Sequence, residues 1–221
     1  QRISGQSAGN RFEAITQNFL EATFTLLQHL RPGQWHYAVE TPIATFDQYD
    51  HLAELETTIK QNDTLAAALG SDYIIKPDIV ISRYPVSDTE INQQTQIIQE
   101  AENLASLTPL RSANVPNQRL ILHASISCKW TLCSDRSQNA RAEALNLIRN
   151  RKGNLPHIVA VTAEPLPTRI ASLALGTGDL DCVYHFALPE LSAAVQKVDN
   201  EGQMDMLNIL VEGRRLRDIS D

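Results

Sequence analysis

Residues 119–130 read RLILHASISCKW, and the fold follows from how this stretch alternates. The even positions Leu120, Leu122, Ala124, Ile126, Cys128 and Trp130 are apolar or small. The odd positions His123, Ser125, Ser127 and Lys129 are polar, with Ile121 the exception. A period of two predicts a strand, because successive side chains on extended backbone point to opposite faces. One face then belongs to the core, and the other lines a polar cleft with Lys129 near its end.

Outward from this strand the pattern repeats. YIIKPDIVISRY (73–84) is rich in β-branched residues, with Ile75, Ile79 and Ile81 on one face and Lys76, Asp78 and Ser82 on the other. That alternation predicts a strand carrying Asp78 on its polar side. HIVAVTAE (157–164) reads as a buried strand and DCVYHFAL (181–188) as a further one. Between them, Ser134 is a candidate N-cap for a helix running to about Arg151 before Lys152-Gly153. PTRIASLAL (167–175) reads as a short helix, and 189–212 is helical.

Towards the N-terminus, Phe12, Ile15, Phe19, Leu26 and Leu30 recur at near-helical spacing between Gly9-Asn10 and Arg31-Pro32-Gly33, which predicts a long first helix. A second helical pattern fills 47–69, with Gly70 as its C-cap, and a polar, Gln-rich helix is expected at about 87–107. The Pro/Asn stretch 109–118 reads as surface loop. Strands alternating with helices predict an α/β fold with a mixed central sheet flanked by helices. There is no internal repeat or long linker, so one domain spanning 1–221 is expected.

The chain has 221 residues, 43% hydrophobic and 20% charged, and these proportions fit an ordinary globular protein with a sizeable core. No apolar run is long enough to span a bilayer, and QRISGQSAGN lacks a signal-peptide core, so no membrane association is expected. Cys128, Cys133 and Cys182 lack paired C-x-x-C spacing. They suit neither a disulfide framework nor structural zinc and point to the reducing cytoplasm. Starting at Gln1 and stopping after RRLRDISD, the sequence is expected to be a piece of a longer product that lacks an N-terminal segment.

A net charge of −7 is at first sight wrong for a nucleic-acid binder. Its distribution matters more than the sum. Residues 129–152 hold six basic residues (Lys129, Arg136, Arg141, Arg149, Arg151, Lys152) and two acids (Asp135, Glu143). This +4 segment sits on a body carrying −11, a pattern that suits a nuclease gathering carboxylates around a metal. Taken alone, the same segment also reads as a solvated charged helix.

Phosphodiester hydrolysis needs carboxylates to hold magnesium and a lysine to orient or polarise water. Asp78 on one strand and Lys129 on another supply a carboxylate and an ammonium that converge on one cleft. Ser127 stands where the motif D…(D/E)-x-K would have its second acid. On the next helix Arg136, Ala140, Glu143 and Leu147 form one stripe, so Glu143 serves as the displaced ligand. Each residue alone has a plainer reading: a satisfied strand Asp, a strand-end Lys, a solvent-facing helical Glu. His123 and His157 read as core or supporting residues, since a hard cation prefers oxygen. Gly176-Thr177-Gly178 reads as a turn.

The blocks GQSAGNRFEAI (5–15), KPDIVI (76–81), HASISCKW (123–130), SDRSQNARAE (134–143), VTAEP (161–165) and LALGTGDLDCVYHFAL (173–188) carry a resemblance. The chain resembles the NgoMIV family of type II restriction endonucleases, CCGG-recognising members of the PD-(D/E)xK class. The resemblance implies a restriction-endonuclease-like fold, Mg²⁺-dependent cleavage of double-stranded DNA, and a homodimer or homotetramer. It matches Asp78 and Glu143 to the metal ligands and Ser127 and Lys129 to the Ser-x-Lys of the site. It adds Glu13, on the first helix, as a further catalytic carboxylate.

Base reading is expected at the start of the helix after Lys129, where Asp135 and Arg136 can reach cytosine N4 and guanine O6/N7 in the major groove. The sequence departs from its relatives at Cys133, where they carry an arginine; a missing bidentate contact is worth about 1–3 kcal/mol of discrimination. Gln6 and Arg169 match positions associated with minor-groove or backbone contacts, and both also read as ordinary surface residues. A catalytically silent DNA-binding relative remains the alternative. A serine or cysteine hydrolase is disfavoured, because there is no G-x-S-x-G elbow and Cys128 falls on the apolar strand face.

Overall fold

The computed structural model describes residues 5–69, 74–99, 104–176 and 178–221; the side chains of Gln6, Leu69, Pro116, Ser134 and Arg136 fall outside the described set. Gly70, expected as a C-cap, and Tyr73 and Thr177, expected in a strand and a turn, also lie outside it. Among the described residues a six-stranded sheet runs in sequence order, built from β1 (Trp35–Val39), β2 (Ile79–Arg83), β3 (Ile121–Lys129), β4 (His157–Thr162), β5 (Cys182–His185) and β6 (Leu216–Asp218). β1, β2 and β3 pair antiparallel, and β3 to β6 pair parallel, so the sheet is mixed as expected.

Parallel neighbours need crossovers. α5 (Ser134–Asn150) joins β3 to β4, α6 (Pro167–Ala174) joins β4 to β5, and α7 (Leu188–Val198) with α8 (Glu201–Glu212) joins β5 to β6. Ala140, Ala144 and Leu147 of α5, Ile170 and Leu173 of α6 and Leu210 of α8 share one core with Val80, Leu122, Ala160 and Val183 of the sheet. The opposite face packs a smaller cluster of Ile79, Ile81, Ala124, Ile126 and Val161 against Phe12 of α1 (Gly5–Leu26).

The strand that decides the fold departs from simple alternation. Leu122 belongs to the α5 face, while Ala124 and Ile126 belong to the α1 face. The cause is a slip in the β2–β3 register: Ile81 pairs with Ala124, but Ser82 pairs with Leu122. His123 is therefore an extra residue, and a β-bulge reverses which side chains face which way. Ser125 and Ser127 consequently lie buried beneath helices rather than lining an open cleft.

Other boundaries also differ from the sequence pattern. Asp78 lies one residue before β2, because Pro77 has no N–H to give a ladder. The 47–69 pattern divides into a short 3-10 turn, α2 (His51–Lys60) and α3 (Asp63–Leu69). Asn62 accepts from the Leu65 N–H at 3.1 Å, a new N-terminal cap that ends one helix and starts the next. Of the expected polar helix only α4 (Asp88–Ile91) forms in the described part of 87–107, and Asn92 holds the following turn by accepting from the N–H groups of Ile97 and Ile98. α7 and α8 are separated at Asp199, which takes the left-handed conformation (φ 53°). Cys133, not Ser134, occupies the N-cap of α5.

Candidate active site

Three segments, the approach to β2, α1 and α5, meet the carboxyl end of β3. The strand presents Lys129, the approach to β2 presents Asp78, and α1 and α5 present Glu13 and Glu143 from opposite sides. A cleft of about 260 Å³ opens between them, bordered by Gly9, Glu13, Lys129, Trp130, Asn139 and Glu143. Phe12 and Trp130 pack edge to face at 5.4 Å, which fixes α1 against the end of β3 and with it the height of Glu13.

Asp78 is held from two directions. Its Oδ2 accepts from Lys129 Nζ at 2.8 Å and from the Cys128 backbone N–H at 2.7 Å. The ion pair is shielded but reachable: the Lys129 side chain is 15% exposed and that of Asp78 28%. Lys129 is anchored in turn through its carbonyl, which accepts from Thr162 Oγ1 at 2.7 Å across the β3–β4 pairing.

Glu13 and Glu143 feel the same cluster. Burial raises the Glu143 carboxyl above its ordinary value; Lys129 partly offsets this and Asp78 adds to it. Burial also raises Glu13, reinforced by the charges of Asp78 and Glu40 and opposed by Lys129. One lysine thus faces three carboxylates, with Asp78 repelling both glutamates, an excess of negative charge suited to a hard cation bound through oxygen. Among the described residues no three His, Cys, Asp or Glu side chains already form a metal cage, and Asp78 holds Lys129 instead.

Ser127 is buried, and its Oγ has no hydrogen-bond partner among the described residues. Cys128 is a poor nucleophile here, because burial first, then the charges of Asp78 and Glu13, push its thiol up. His123 and His157 lie away from the cleft; their rings meet at 5.2 Å, and burial lowers His123 to about 4.

The expected DNA-reading residues are placed less completely. Cys133 and Asp135 are exposed at the start of α5, and Cys133 makes no side-chain cap. Gln6 lies on α1 and Arg136 on α5, but the side chains of both fall outside the described residues. Arg169 on α6 is 57% exposed, with Nη1 3.8 Å from Glu164 Oε1. Glu164 itself was not singled out in the sequence. It closes the stretch HIVAVTAE that reads as a buried strand, but lies two residues past the observed end of β4, and it is only 1% exposed. Asn139 was also missed; it lies one turn before Glu143 on the same face of α5.

A mixed sheet with an Asp–Lys pair at the ends of two antiparallel strands and flanking glutamates defines a restriction-endonuclease-like protein. A model of the family described as NgoMIV restriction enzyme matches residues 1–221. The chain is 52% identical over 226 residues to the type II restriction enzyme NgoMIV of Neisseria gonorrhoeae, spanning all of this chain and 78% of that protein. The chain belongs to the NgoMIV restriction enzyme family and is thus a type II restriction endonuclease. Among solved structures, the BsaWI pre-specific restriction endonuclease–DNA complex is similar with a TM-score of 0.39 and 11% identity over 95% of this chain and 65% of that one. The restriction endonuclease PspGI–substrate DNA complex gives a TM-score of 0.35 and 14% identity over 98% and 69%.

Proposed function

We propose that this chain hydrolyses double-stranded DNA at a palindromic, GC-rich site with a CCGG core such as GCCGGC, leaving 5′-phosphate ends and using Mg²⁺. The observation that carries the reading is that Lys129, which lines one cleft with Glu13 and Glu143, is paired with Asp78, whose charge reaches both glutamates. Asp78 and Glu143 would hold the metal, since both bring oxygen donors and one lysine among three carboxylates leaves negative charge there that a cation would balance. When bound, magnesium would supply positive charge to the scissile phosphate and lower the pKa of water.

The chain's own groups do the rest. Lys129 Nζ, with protons to spare beyond the one it gives Asp78, orients water and steadies the charge that gathers on phosphate. The water oxygen forms the new bond to phosphorus as the bond to the 3′ oxygen breaks, so the phosphate stays on the 5′ end. Glu13 stands on the other wall and orders water in the cleft. Ser127 is a neutral occupant of the usual acid position, and its lack of charge leaves the second carboxylate to Glu143.

Recognition is assigned to the start of α5, with Asp135 and Arg136 at base edges, Cys133 beside them, and Gln6 and Arg169 at flanking contacts. A palindromic site is read by a symmetric assembly, hence a homodimer or homotetramer. The enzyme works in the cytoplasm; no helix among the described residues is long and apolar enough to cross a membrane. Incubating the chain with random-sequence duplex DNA in magnesium, then sequencing the ends, tests the proposal. The expected result is one palindromic site containing CCGG with 5′-phosphates; no magnesium-dependent cleavage would favour the silent-binder alternative.

A further inference from the structure

The turn 130–133 joins the end of β3 to the start of α5 and belongs to neither, so its backbone needs partners from elsewhere. Glu164 supplies one. Its Oε2 accepts from the Leu132 N–H at 2.7 Å, beneath a Leu132 side chain that is itself buried. The other oxygen, Oε1, accepts from the Leu166 N–H at 3.2 Å, and Leu166 is the N-cap of α6. Glu164 is fixed in turn from both ends of its own peptide. Its N–H donates to Thr162 Oγ1 at 3.1 Å, the hydroxyl that holds the Lys129 carbonyl, and its carbonyl meets His185 Nε2 at 3.2 Å.

A single buried carboxylate therefore ties together the approaches to two helices. The start of α5 carries Cys133, Asp135 and Arg136, and the first turn of α6 carries Arg169. We propose that Glu164 is a positioning residue for DNA recognition, fixing the starts of α5 and α6 relative to each other and to Lys129. This rests on the reading that the start of α5 meets the bases. An amide in its place has only one oxygen, so it can accept from Leu132 or Leu166 but not from both, and its NH₂ would face the remaining donor.

The test compares Glu164→Gln with the unmodified enzyme on duplexes carrying the site mapped from cleavage ends and on its single-base-pair variants. The expected result is a loss of about tenfold in the ratio of binding to the mapped site over its variants, measured in calcium. KM should rise in parallel, while kcat at saturating DNA stays within about threefold, because Lys129 and Asp78 keep their pairing. An unchanged ratio and KM, with only a lower melting temperature, would overturn the proposal by leaving Glu164 a purely structural role.

Asp135→Asn is run beside it. If that change leaves discrimination intact, the reading of α5 fails and this inference fails with it. If Asp135→Asn loses discrimination but Glu164→Gln keeps it, only the role of Glu164 is wrong. Hydrogen exchange on the unmodified chain needs no variant: the amides of Leu132 and Leu166 should be protected as strongly as those inside β3, and exchange as fast as in exposed loops would contradict the clamp.

Discussion

Two carboxylates grip the backbone on either side of Lys129. Asp78 takes the Cys128 N–H and Glu164 takes the Leu132 N–H, both at 2.7 Å. Their surroundings separate them. Asp78 keeps partial exposure and shares its oxygen with the Lys129 ammonium, whereas Glu164 is sealed, its oxygens taken by two backbone donors with the Arg169 guanidinium 3.8 Å away. The contrast is between a charge left available for chemistry and a charge spent on holding a turn. An open carboxylate next to a cation can release that cation to phosphate or exchange it for metal; a sealed one bonded to N–H groups can do neither without breaking the fold.

The largest effect that bears on this contrast is expected at Lys129. Lys129→Ala should lower cleavage by about 10²–10⁴-fold, in the range of a lost charge-stabilising or proton-handling group, with little change in thermal melting. Single-turnover rates on bound DNA measure it, and an undiminished rate would remove Lys129 from the site. Next, Glu143→Gln should cost on the order of 10²-fold at limiting magnesium, with part of the loss recovered at high magnesium. Wild-type activity at low magnesium would mean that the displaced acid lies elsewhere.

A smaller gain is expected at the exposed start of α5. Cys133→Arg should sharpen discrimination for CCGG by about 1–3 kcal/mol, most visibly at low salt. Titration against single-base variants in calcium decides it, and equal discrimination would place residue 133 away from a base edge. The smallest effect is on stability. The Glu143 carboxyl is raised by burial, so its neutral form favours the fold below the ordinary value of 4.5, and that support is lost as pH climbs through the raised folded value. In chelator, Glu143→Gln should therefore melt slightly higher than the parent at pH 7, with the gain closing as pH falls towards 4.5. A gain that grows on acidification would carry the wrong sign.

Much of the candidate site was legible because the strand ends announce it. KPDIVI and HASISCKW place an acid and a lysine next to apolar runs, and the α5 stripe brings Glu143 to them. What was hidden lies where local periodicity carries no information. The bulge at His123 is set by pairing with β2, so RLILHASISCKW read alone keeps an unbroken alternation that the sheet interrupts. β1 and β6 were missed for a related reason: WHYAV and LRD are short edge strands whose existence depends on a neighbour more than on pattern. Glu164 was hidden because acids are usually exposed, and only the tertiary meeting of Leu132 and Leu166 makes its burial tolerable.

Asp78→Asn tests the central claim most directly, because the amide oxygen can still accept from the Cys128 N–H while the negative charge beside Lys129 is gone. Cleavage of the mapped duplex in magnesium should then fall by about 10²-fold or more with the melting temperature close to that of the parent. A variant that cuts at the parent's rate would show that the charge of Asp78 has no part in the chemistry and that the cleft around Lys129 is not the active site.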